Sequence, residues 1–172
     1  LNKHAYIISN GPSAKLFRGI QDDVKNSVVI CVNKAAEMFI ADYWCFCDWS
    51  MFQQVTPLGR PTLFTKQVVP GKLAVHHPDV YRDKFTEYEA VFHEQLPLKT
   101  PGWNNYSGPA ALALLKHLEI DEATAFGVDM SGDNDCRNET GTSRHEDRWQ
   151  RERATWDAIV AEIGIPVHRI TS

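Results

Sequence analysis

A short apolar run that closes on a polar residue and passes straight into a helix-like segment recurs along this chain, and this recurrence limits the fold more than anything else. Ala5-Tyr-Ile-Ile stops at Ser9-Asn-Gly-Pro-Ser13, ahead of an amphipathic piece carrying Leu16, Phe17 and Ile20. Ser27-Val-Val-Ile-Cys-Val-Asn33 repeats the arrangement before the helical-looking residues 34–41. Tyr43-Trp-Cys-Phe-Cys-Asp48 repeats it before Trp49-Ser-Met-Phe52, and Ala123-Thr-Ala-Phe-Gly-Val-Asp129 again carries a carboxylate at its exit. Strand, polar end, helix in alternation is the mark of a parallel α/β sheet. The expected fold is therefore α/β: a single Rossmann-like, doubly wound, mostly parallel sheet with helices on both faces.

Prolines at 57, 61, 70, 78, 97 and 101 break residues 55–101 into short pieces. Residues 62–65, 72–76 and 88–92 read there as strands, those near the sheet edge running antiparallel. The turn-rich loop 101–109 leads into Ala110-Ala-Leu-Ala-Leu-Leu-Lys-His-Leu118, small and apolar enough for a helix buried on most of its circumference. A polar loop over 130–143 precedes a charged amphipathic helix with Trp149, Trp156, Ile159, Val160 and Ile163 along one side. Gly164 and Pro166 stop that helix, and residues 167–170 read as the last strand.

The 172 residues suffice for one domain, expected to span 1–172. With 18 basic and 22 acidic residues and a net charge of −4, no excess of positive charge invites a nucleic-acid backbone. No apolar stretch approaches the roughly 20 residues that cross a bilayer, and the beginning lacks the pattern of a secretion signal. Cys31, Cys45, Cys47 and Cys136 lack paired zinc spacing, and three of them sit in apolar runs, which suits reduced thiols in a cytoplasmic protein.

In a doubly wound sheet, ligands lie outside the carboxyl ends of the strands, where helices depart in opposite directions. Asn10, Asn33, Asp48, Ser107 and Asp129 are placed on that rim, as candidates for holding a base, a ribose and a sugar. Gly11, Ser13 and Gly108 belong to turns whose backbone N–H groups suit a phosphate. For each position the alternative is a helix cap or a turn residue. His145, beside Glu146 and Asp147, is the candidate general base, set against an exposed helix-start residue with no task. His76 and His77 as neighbours on a strand would point to opposite faces. Asp133, Asp135 and Glu139 lack the extended calcium-loop pattern, and neither a P-loop nor a Gly-x-Ser-x-Gly elbow occurs. No metal site is expected.

Asn10-Gly-Pro-Ser13, the strand ending at Asn33, and Ser107-Gly-Pro-Ala-Ala-Leu-Ala-Leu-Leu leading to Phe126-Gly-Val-Asp129 resemble the bacterial lipooligosaccharide sialyltransferases and the motility-associated flagellar glycosyltransferases. The frame is also similar to small phage-encoded proteins of that superfamily, in which a strand exit like Cys47-Asp48-Trp49 and a His-bearing loop recur. The resemblance implies a metal-independent glycosyltransferase with no cofactor, whose partners are a nucleotide-sugar donor, a cytidine-monophosphate (CMP) sugar such as CMP-sialic acid, and a glycan acceptor. By position, Asn10, Asn33 and Ser107 would contact the donor and His145 would activate the acceptor hydroxyl. Two features depart from the family. Met130, Ser131 and Gly132 stand where it carries phosphate-holding tyrosines, and the arginine that precedes its Ser-Gly pair is replaced near Asn104. These departures keep two alternatives open, a non-catalytic nucleotide or nucleotide-sugar binding module and a metal-assisted phosphate-ester hydrolase.

Overall fold

The computed structural model describes residues 2–21, 24, 26–131 and 146–171. Its strands are β1 (His4–Ile8), β2 (Val28–Val32), β3 (Tyr43–Cys45), β4 (Thr62–Thr65), β5 (Ala90–Phe92), β6 (Glu122–Phe126) and β7 (Val167–Arg169). Its α-helices are α1 (Trp49–Gln54), α2 (Val68–His76), α3 (Tyr81–Thr86), α4 (Ser107–His117) and α5 (Glu146–Ile163). The seven strands form one sheet in the order β5-β4-β3-β2-β1-β6-β7. Every pairing is parallel, so the expected α/β sheet is present and the antiparallel edge is not. The chain works outward from β1 to β5 and then returns to lay β6 on the other side of β1. The winding therefore reverses between β1 and β6.

Both faces of the sheet are dry. Ile7, Ile30, Val32, Cys45 and Phe64 pack on one side with Ala110 to Leu115 of α4 and with Trp156 and Ile159 of α5. Ile8, Cys31, Trp44 and Leu63 face the other way, onto Phe17, Phe39, Phe52, Leu73 and Phe85. A strand covered on both faces has no solvated side, which is why these runs are apolar at successive positions. α4 is buried along most of its length, from Gly108 to Leu115, as its composition demands. Gly164, at φ +68, ends α5 with its N–H on the Val160 carbonyl.

Several local expectations change. Residues 72–76 belong to α2, not to a strand: Val69 and Leu73, one helical turn apart, are both buried, whereas Val75 is 76% exposed. Pro70 sits in the first turn of α2, where a missing N–H costs nothing. With α2 and α3 between them, β4 and β5 have a connection long enough to pair in parallel. The segments after β1 and β2 are 3₁₀ helices, Pro12–Gly19 and Asn33–Glu37, tighter than the expected α-helices.

Candidate functional site

The carboxyl edge of the sheet gathers most of the rim residues proposed from sequence. Ser9-Asn10-Gly11 leaves β1, Asn33 leaves β2, Asp48 follows β3, and Gly127-Val-Asp129 leaves β6. Ser107 opens α4, and its Oγ accepts the Cys47 N–H at 3.1 Å, which brings it to the β3 exit. His145 lies outside the described residues, as do Cys136 and the acidic positions 133, 135 and 139.

At the winding reversal, the turn after β1 is bonded to the turn after β6 rather than left open. Gly11 N–H donates to the Gly127 carbonyl at 2.7 Å. Ser13 N–H and Ser13 Oγ–H both donate to Asp129 Oδ2, each at 3.0 Å, and Gly127 N–H donates to Ser13 Oγ at 2.7 Å. The donors expected to face a phosphate are thus used within the fold, and the anion at the start of the 3₁₀ helix is the Asp129 carboxylate. Gly11 is glycine for this contact: a Cβ there would collide with the Asp129 carboxylate and come 2.5 Å from the Gly127 oxygen. Gly108 has no such constraint, since Glu152 Oε1 would lie 3.8 Å from an added Cβ.

The other rim side chains divide between internal bonding and availability. Asn10 Oδ1 accepts the Ala35 N–H at 3.0 Å, capping the helix after β2, and its amide hydrogens have no acceptor among the described residues. Asn33 adopts φ +52, a left-handed conformation that asparagine tolerates, and its carbonyl accepts the Trp44 indole N–H at 3.0 Å. Among the described residues, the side chains of Asn33 and Asp48 make no hydrogen bond or ion pair. Asp48 is exposed and Asn33 half-buried.

Beyond β3, β4 and β5 stands a group the sequence reading missed. His93 follows β5 and is 0% exposed, yet neither ring nitrogen has a hydrogen-bond partner among the described residues. Burial, reinforced by the Lys66 charge, lowers its pKa to about 4, while Glu94 and the Phe64 carbonyl pull weakly the other way. That carbonyl is near enough to favour the proton but not placed for a hydrogen bond. Burial also pushes the Cys47 thiol up to about 11, and Cys45 well above its ordinary value. Both thiols are therefore protonated at neutral pH and poor nucleophiles. The signal for His93 was present in the sequence: the run ending at Phe92 closes on His93, as other strands close on asparagine or aspartate.

Among the described residues, no three His, Cys, Asp or Glu side chains are grouped to hold a metal ion, and no helix is long and apolar enough to cross a membrane. An apolar cleft of about 260 Å³ lies at the opposite, amino edge, between Phe17, Phe39, Ile40 and Leu58. No protein-family model matches the chain, and no curated protein is significantly similar to it.

Proposed function

We propose that the protein is a glycosyltransferase-like enzyme that binds a nucleotide-activated sugar along the carboxyl ends of β1, β2 and β3, beside the reversal between β1 and β6. The observation that carries this reading is that, past the carboxyl ends of three adjacent parallel strands, the side chains of Asn33 and Asp48 and the amide hydrogens of Asn10 have no partner among the described residues. Neutral amides suit the donor and acceptor edges of a base and ribose hydroxyls, and a carboxylate suits a sugar hydroxyl. In this reading CMP is the nucleotide, a glycan hydroxyl the acceptor, and His145 the base that takes its proton. A rigid rim orients donor and acceptor, which is where much of the rate enhancement in group transfer originates.

A thermal-shift panel tests the reading, because a ligand that binds only the native state raises Tm. CMP should shift Tm more than AMP or GMP, and donor turnover should fall about 10²–10⁴-fold in His145→Ala. Negligible, equal shifts with all three nucleotides would refute it. One observation favours a second reading, a binding module without catalysis: the Gly11 and Ser13 donors, suited to a departing phosphate, are bonded to Gly127 and Asp129. CMP binding with no turnover in the wild-type chain would select it.

A further inference from the structure

The exits of β3, β4 and β5 hold a row of chemically able groups that the rim of Asn10, Asn33 and Asp48 does not use. The register pairs Cys45 with Phe64 and Phe64 with Val91. Two residues further along each chain, Cys47, Lys66 and His93 stand at the same level. Cys47 packs in the cluster under α4 with Cys45, Phe64 and Val91, and Lys66 and His93 follow directly on the paired Thr65 and Phe92. Ring contacts agree: the His93 ring centre lies 4.3 Å from that of Phe64 and 5.3 Å from that of Trp103. The Lys66 charge acts on both the Cys47 thiol and the His93 imidazole.

Two independent features mark this row as a site. The first is His93, fully enclosed with its donor and acceptor nitrogens both unpaired among the described residues, an arrangement that native interiors avoid unless a partner is supplied. The second is Lys66, half-buried, whose ammonium group has no ion pair or hydrogen bond among the described residues. The acids facing the row are Asp48, Glu94 and Glu152, and Lys66 is paired with none of them. Glu94 instead takes the Gln67 N–H at 2.9 Å. At the β1 turn, by contrast, an anion is already seated in the form of Asp129.

We propose that Lys66 and His93 form an anion subsite that receives a phosphate or carboxylate group of the ligand. The inference rests on the nucleotide-sugar reading above and places the charged group at the β4 and β5 exits rather than at the Gly11 turn. Lys66 supplies the charge, and one imidazole N–H donates to an anionic oxygen. Trp103, on the turn whose Trp103 N–H reaches the Thr100 carbonyl, covers the imidazole and must swing aside for the anion to reach it.

Calorimetry on the full chain at pH 7.5 and low salt, with inorganic pyrophosphate, CMP, cytidine and free sialic acid as probes, tests this. Lys66→Met should weaken pyrophosphate binding about 10- to 100-fold, as loss of a charge-assisted hydrogen bond does. Cytidine should be unaffected, and Lys72→Met, which removes an exposed charge on α2, should behave as wild type. A parallel loss with CMP but not sialic acid assigns the anion as phosphate, and the reverse assigns it as carboxylate. The His93 ring ¹⁵N resonances should shift on adding pyrophosphate. Lys66→Met with unchanged affinity for every anion overturns the proposal, as does a wild-type chain that binds none of them. CMP binding that ignores Lys66, with pyrophosphate and sialic acid affinities also unchanged, would remove this subsite while leaving the nucleotide reading standing.

Discussion

Replacing His93 by phenylalanine should flatten the acid limb of the stability curve. The folded-state pKa of about 4 lies below the unfolded value near 6.5, so the unfolded chain takes up this proton first as the pH falls. The contribution is fully present above about pH 6.5 and is lost progressively down to about pH 4. From these two values, the wild type loses about 2.5 kcal/mol between pH 7.5 and pH 4.5 through this group alone, more than half of it by pH 5.5. His93→Phe removes two unpaired polar atoms between Phe64 and Trp103, so at pH 7.5 it should equal or exceed the wild type in stability. Urea denaturation of both proteins at several pH values gives the difference directly. Parallel stability curves from pH 7.5 to 4.5 would show that His93 is not held neutral by burial.

Three further substitutions probe the rim. Gly11→Ala forces a methyl group against the Asp129 carboxylate and the Gly127 oxygen, and should cost about 3 kcal/mol or more, read as a fall in Tm of about 6–12 °C. Gly108→Ala meets only an ordinary 3.8 Å contact, so it should melt within about 2 °C of the wild type, and any loss of nucleotide affinity would then report on the ligand. Asn10→Ala removes the cap on the Ala35 N–H and should lower stability by about 0.5–2 kcal/mol in chemical denaturation, together with CMP affinity.

The parts of the fold that were legible in sequence are those where local pattern and burial agree. β1, β2, β3 and β6 are apolar at successive positions because helices cover both faces, and 62–65 is the strand expected. Residues 72–76 were misread because Leu73-Ala-Val75 suits a strand in isolation; the packing of Val69 and Leu73 against the core made it a helix. The prolines suggested an antiparallel edge, yet Pro70 and Pro78 lie at a helix start and a helix junction, where they are compatible with a crossover.

The site was legible as a location more than as an arrangement. That Asn10, Asn33, Asp48 and Asp129 stand at strand exits follows from the order of elements. That Asn10 caps Ala35 and Ser107 holds the Cys47 N–H depends on partners 25 and 60 residues away, which no local pattern reveals. The closure of the Gly11 turn by Asp129 is likewise a contact across 116 positions. His93 and Lys66 escaped notice because β4 and β5 are short and lie in the stretch that prolines break up, although they obey the same rule of a polar residue at the exit.

Titrating ¹⁵N-labelled protein with CMP tests the central claim most directly, through the backbone amides at the strand exits. Shifts concentrated at residues 9–11, 33–35 and 47–49 and extending to 66 and 93, saturating together, are the result expected of a nucleotide crevice at these strand exits. Shifts confined to the amino edge around Ile40 and Leu58, or spectra unchanged at saturating nucleotide, would contradict it.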